Sequence, residues 1–279
     1  MDHESSSTNA TRLGSVGGIP ITVHWTFFLL LGIEFLSSLR HGGLAYITFV
    51  FLLYGPVLFV TVLLHELGHG FATKSLGGVV EGIVLWPLGG FTLCGPTDGG
   101  ASADLKVAVA GPLTHIPQSL FWMGIYAAAT GGGFPSFSRD VLVSGGINGF
   151  FTVLSAHSFW LNVDLMVFNL FIPAYPLDGG RCMAAGLIMY GFGAQKAAQM
   201  TSITSMIIAA MMAFWGLVSF IHQNHPAGLF AACVGFYVFS SGSRLYNLAT
   251  TGRLRDHPLF GRPGFEDQDE ANYVPLGSS

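Results

Sequence analysis

Charge is scarce in this chain. Lysine, arginine, aspartate and glutamate make up only 9% of 279 residues, where a soluble domain carries roughly a quarter. No cluster of basic residues offers a phosphate-binding face, and with a net charge of −4 nucleic acid is excluded as a partner. Cysteine is also rare. Cys94, Cys182 and Cys233 are scattered without a CxxC pair, which excludes a disulfide framework or a thiolate metal site and reads as three small buried hydrophobes. The first residues, Met1 to Gly18, lack both the basic start and the short apolar core of a signal peptide. They read as a flexible polar leader, and the first apolar segment as a retained span.

What the chain has instead is apolar surface. Hydrophobic residues make up 51%, 24 of them Phe, and the mean hydropathy is +0.57. This is the composition of an integral membrane protein in contact with a lipid bilayer. Spans of about 20 mostly apolar residues are predicted at Ile21–Leu39, Ala45–Leu76, Leu105–Ala129, Ala197–Ile221 and Ala227–Ala249. Another lies in Thr152–Tyr190, which is too long for one plain span and is interrupted by "IPAYPLDGG". The fold expected is an all-α polytopic membrane protein of about six transmembrane helices. A small β-strand region between the second and third comes from Gly77–Pro96, where β-branched residues mix with Gly and Pro. Gly131–Gly149 reads as a Gly-rich loop. The expected organisation is a leader over 1–18, a membrane-embedded domain over 19–252 and a disordered cytosolic tail over 253–279.

Six spans place both termini on one side. Arg12, Lys74, Lys106, Lys196, Arg253, Arg255 and Arg262 lie on that side, against Arg40 and Arg139 on the other. The positive-inside rule makes the termini cytosolic, so the sequon at Asn9 would go unused.

Ionisable groups at bilayer depth are costly and mark function by default. The second span carries three of them in "TVLLHELGHGF", Thr61–Phe71. His65 and His69, four residues apart, share one helix face and can grip one metal ion. Zinc suits neutral imidazole. Glu66, beside the first ligand, is placed to take a proton from the attacking water. In a soluble helix such histidines can simply be satisfied core residues; in a membrane span three costly side chains need a common explanation. A third ligand is available in "FNLFIPAYPLDGGR", Phe168–Arg181. There Asp178 sits where prolines and glycines break the helix, and irregular backbone at membrane depth is tolerated only when buried in protein or lining a wet cavity. Without the histidines, Asp178 would be an ordinary turn aspartate.

Together these stretches resemble the site-2 protease family of intramembrane zinc metalloproteases. "HELGH" matches its HExxH, "PAYPLDGGR" its LDG motif, "LWPLGGFTLCGP" its Pro-Leu-Gly-Gly strand region, "AVAGPLTH" its Ala-Gly-Pro helix start, and "GIPITVHW" the lead into its first helix. The resemblance runs from about Gly18 to Gly193. It implies one Zn2+ per chain held by His65, His69 and Asp178, with Glu66 as general base. It further implies that Asn169 helps hold the substrate carbonyl or oxyanion. In the common pattern that Asn stands eight residues before the Asp; here the separation is nine, Ile172 being the extra residue. The implied reaction is hydrolysis of peptide bonds within transmembrane segments of membrane proteins, after local unwinding of the substrate helix. The Gly77–Pro96 strands are candidates to hold the unwound segment. No PDZ or CBS-like module is present, so a minimal catalytic core is expected.

Two other function classes compete: a zinc transporter and a protease-like scaffold that binds client helices without cutting. The transporter reading fits the broken helix but needs no glutamate poised as a base. Intact Glu66 argues against the scaffold. Glu34, His24, His115, His157 and Asp164 also fall in or near spans and are given no direct metal role. Asp164 is the candidate acceptor for the second N–H of a metal-bound histidine. Arg181 is expected to fix local structure or to face the cytosol.

Overall fold

A computed structural model of the protein describes residues 10–41, 43–136, 141–142, 145–223, 226–261 and 265. The chain divides into two compact units. One gathers the chain up to Ser75, Val79–Gly95 and Ala110–Phe168; the other gathers Leu76–Gly78, Pro96–Val109 and the chain from Asn169.

The first unit contains a four-stranded sheet of order β1-β2-β3-β4. Strand β1 (Ala10–Val16) turns into β2 (Ile19–His24) through Gly17 and Gly18, both with positive φ, the conformation a two-residue hairpin needs. Strand β2 runs parallel to β3 (Val80–Trp86), pairing Ile21 with Ile83 and Val23 with Leu85, and β3 pairs antiparallel with β4 (Gly89–Cys94). Helix α1 (Leu29–His41) follows a 3-10 turn at Trp25–Phe28. Helix α2 (Leu44–Leu52) leads through a π-helical turn at Leu53–Val57, which contains Pro56, into α3 (Leu58–Ser75). Ile19, Val23, Val62, Leu67, Ile83 and Leu85 form a core between the sheet and α3. Close approach at Gly70, where a Cβ would stand 2.8 Å from Ile19 Cδ1, draws the helix down onto it.

Helix α4 (Gly100–Leu113) contributes its last four residues to this unit. The helix ends at Leu113, one residue past Pro112, with Thr114 turned back so that its N–H and hydroxyl both donate to the Gly111 carbonyl, at 3.0 and 2.7 Å. Helix α5 (His115–Thr130) starts on the next residue, and α6 (Gly146–Phe171) follows.

The second unit holds α7 (Asp178–Met189), α8 (Ala194–Gln223) and α9 (Pro226–Thr250). Helices α8 and α9 pack through small residues: a Cβ at Gly216 would lie 2.6 Å from Ala232 N, and one at Gly235 2.7 Å from Ala213 N. Such contacts let helix backbones approach closely in membranes. Exposed Ile203, Ile207, Met211, Phe214, Trp215 and Ile221 cover the outer side of α8, a surface suited to lipid.

Among the described residues, three helices are long and apolar enough to cross a membrane: Leu44–Ser75, Gly146–Phe171 and Ala194–His222. The expected architecture needs corrections. Ile21–His24, taken as the start of the first span, is strand, because its alternating buried and half-buried residues fill a sheet. The strands are therefore not confined to the segment between the second and third apolar segments. Ala10–Val16, within the expected leader, is strand as well; residues 1–9, with the Asn9 sequon, lie outside the described residues. The Gly-rich loop ends where α6 begins at Gly146. The tail does not loosen at Arg253: Leu259, Phe260 and Phe265 are buried in the core of the second unit, and His257 Nδ1 accepts from the N–H groups of Leu259 and Phe260. Cys94 and Cys182 are half-buried and Cys233 is exposed, so none is the fully buried residue expected.

Candidate metal centre

The helix α3 brings His65, Glu66 and His69 into the interior of the first unit, all three buried. The four-residue spacing does what helix geometry requires: His65 Nε2 and His69 Nε2 stand 3.1 Å apart. Two nitrogens bound at 2.0–2.1 Å to one tetrahedral zinc would be separated by about 3.3 Å. The histidine pair therefore fits zinc with a small adjustment.

Small residues clear the space around this pair. A Cβ on Gly111 would collide with His69 Nε2, and one on Gly68 would lie 2.7 Å from both the Ala110 carbonyl oxygen and Thr114 Cγ2. The glycine of "AVAGPLTH" is thus a steric requirement of the His69 ring. Gly90 has the same relation to the glutamate: a Cβ there would stand 2.5 Å from Glu66 Cγ. Strand β4 thereby lies against Glu66. From the same strand Thr92 Oγ1 is 2.8 Å from Glu66 Oε2 and 2.9 Å from its carbonyl oxygen, so its hydroxyl donates to the residue expected to act as base.

His65 has a second neighbour. Its Nδ1 is 3.1 Å from His115 Nε2, and His115 Nδ1 is 2.9 Å from Asn162 Oδ1. Asp164, the acceptor expected from the sequence, is exposed on α6. His115 takes the place beside the ring instead, and no sequence motif points to Thr92 or Asn162. His24, by contrast, pairs with Thr26 as the cap of the 3-10 turn, and His157 bonds the Val153 carbonyl one turn back.

Asp178 and Asn169 belong to the second unit. Asn169 is half-buried near the end of α6. Helix α6 stops at Phe171, an irregular segment follows, and Asp178 is the buried first residue of α7. The two glycines after it let α7 fold against the chain before it: a Cβ on Gly179 would come 2.7 Å from the Leu170 carbonyl oxygen, and one on Gly180 would strike the backbone of Tyr175. Arg181, one turn on, donates to Asp104 Oδ1 at 2.7 Å and places Nη1 3.7 Å from Asp178 Oδ1. It anchors local structure, as expected, and sets a positive charge beside the acid.

Paired imidazole nitrogens, with a buried glutamate next in sequence and donated to by a threonine, form a centre whose donors could hold a metal ion. The chain belongs to peptidase family M50, whose profile matches residues 55–215. It is 32% identical over 210 residues to zinc metalloprotease MJ0392 of Methanocaldococcus jannaschii, covering 75% of this chain and 54% of that one. It is 28% identical over 263 residues to Rip3 of Mycobacterium tuberculosis, covering 88% and 61%. The chain thus spans only about half to three-fifths of the length of these relatives. Among solved structures it resembles the site-2 protease from Methanocaldococcus jannaschii, with a TM-score of 0.59 and 26% identity over 85% of this chain and 95% of that one. The site-2 protease resemblance and the zinc expectation are borne out at the level of the family.

Proposed function

We propose that the chain is an intramembrane zinc endopeptidase that hydrolyses peptide bonds within transmembrane segments of membrane proteins. The observation that carries this reading is the pairing of the two His Nε2 atoms at 3.1 Å beside a buried glutamate that a β-strand holds in place. In this reading His65, His69 and Asp178 hold zinc, which supplies Lewis-acid polarisation of the scissile carbonyl and a water acidic enough to react at neutral pH. Glu66 accepts the proton of the attacking water and passes it to the leaving amine. The Thr92 hydroxyl keeps one carboxylate oxygen engaged and so fixes which one faces the water. Asn169 donates to the substrate carbonyl as negative charge develops on it. Arg181 sets its guanidinium 3.7 Å from the Asp178 carboxylate and ties that turn to Asp104.

Strand β4 is an edge of the sheet and carries the residues that touch Glu66. An unwound substrate segment pairing with that edge would gain backbone hydrogen bonds where its own helix has lost them. In this reading a six-span arrangement with cytosolic termini would set this machinery within the bilayer, nearer the cytosolic face.

The experiment is cleavage of a transmembrane model substrate by purified protein in detergent, with bound zinc quantified. Asp178→Ala is expected to lose zinc and cleavage together. Leu93→Pro, which breaks the β4 edge, is expected to impair cleavage with zinc content unchanged. An Asp178→Ala variant that retains full zinc and activity overturns the ligand set.

A further inference from the structure

We propose that His115 and Asn162 are positioning residues of the metal centre, forming with the Ser158 carbonyl a buried relay that fixes the tautomer and plane of the His65 ring. The inference rests on the reading of His65 as a zinc ligand and adds two residues to it.

The relay can be read from the one atom that has no choice. The Ser158 carbonyl only accepts, so the Asn162 Nδ2 atom, 2.9 Å away, must donate to it. That fixes the Asn162 amide and turns Oδ1, an acceptor only, towards His115 Nδ1 at 2.9 Å. His115 Nδ1 therefore carries a proton. In neutral His115 the Nε2 atom is then the acceptor, and His65 Nδ1, 3.1 Å from it, must donate. A neutral His65 with its proton on Nδ1 has none on Nε2, which is the atom that faces His69 Nε2. The chain of donors thus delivers the metal-binding tautomer to the right nitrogen.

Burial makes the relay obligatory. Asn162 and Ser158 are 0% exposed and His115 is 1% exposed, so bulk water offers no substitute partner at those positions. Three helices are involved: α3 carries the ligand, α5 presents His115 on its first residue, and α6 supplies Asn162 and Ser158 from the same face. Ordinary interhelical hydrogen bonds would also satisfy these groups, but they would not need to end on a ligand nitrogen with the tautomer set.

The test measures zinc affinity of the full chain in detergent by chelator competition, together with the visible spectrum of the Co2+-substituted protein. His65→Ala is the control for the ligand. His115→Leu and Asn162→Leu are expected to bind zinc 10–100-fold more weakly, the usual loss when the group behind a ligand histidine is removed. His115→Gln, whose amide oxygen can still accept from His65 Nδ1, should recover most of that affinity and keep the wild-type cobalt bands. Asn162→Asp, a stronger acceptor, should bind at least as tightly as wild type. Leucine variants within threefold of wild type, with His65→Ala unable to hold zinc, overturn the relay and leave the ligand assignment standing. A His65→Ala variant that binds zinc as wild type does overturns the ligand assignment itself. Should the leucine variants fail to fold, the other pair decides: tenfold weaker binding in both His115→Gln and Asn162→Asp overturns the relay.

Discussion

Alanine at Gly90 should separate catalysis from metal binding. Gly90 does not have a positive φ, so alanine suits its place in β4. Its Cβ, however, would stand 2.5 Å from Glu66 Cγ and 2.9 Å from Cδ and Oε1. Carbon atoms pack at about 3.5–4.0 Å, so the carboxylate must retreat by roughly 1 Å. A misplacement of that size at a reacting group costs about 100-fold in rate, or ~2.7 kcal/mol of transition-state stabilisation. Glu66 is not a ligand in this account, so zinc should remain at one per chain. The assay is kcat/KM on a transmembrane substrate, with zinc measured on the same sample. Cleavage within threefold of wild type would refute the claim that β4 positions Glu66. Loss of zinc along with activity would refute the claim that the effect is confined to it.

Thr92→Val removes the hydroxyl donated to the Glu66 carboxylate; a hydrogen bond to a charged group contributes about 1.5–3 kcal/mol, so kcat should fall at least about tenfold, with Thr92→Ser restoring it. Gly111→Ala should lower zinc occupancy, read by elemental analysis, because the new methyl meets the His69 ligand atom. Asp104→Asn breaks the ion pair between the buried Asp104 and half-buried Arg181 and should destabilise the fold by about 3 kcal/mol, seen as a lowered melting temperature in detergent.

The chemistry was more legible in the sequence than the packing that supports it. His65 and His69 were readable because a helix fixes where residues four apart must point, whatever surrounds them. Strands β3 and β4 were readable from β-branched residues bounded by Gly and Pro. Strand β2 was not, because Ile21–His24 runs straight into an apolar helix and a short apolar run does not declare its period. The packing of Leu259, Phe260 and Phe265 was not legible because they stand among polar residues, and only tertiary contact shows that they reach a core. Asp164 stands out in the sequence as a charged acceptor, and Asn162 does not. Two residues apart on a helix they point about 160° from each other, and the structure buries Asn162 and exposes Asp164. The glycines at 68, 90 and 111 were visible as letters of motifs, but their purpose lies in which side chains they admit.

The central claim is that His65, Glu66 and His69 form one catalytic metal centre with distinct roles for ligand and base. Glu66→Gln tests it most directly, measured beside wild type for both zinc content and cleavage of a transmembrane substrate. The expected result is about one zinc in each protein, cleavage by wild type and none by the variant. Cleavage by Glu66→Gln at the wild-type rate, or a wild-type protein that holds no zinc after reconstitution with the metal, would contradict the account.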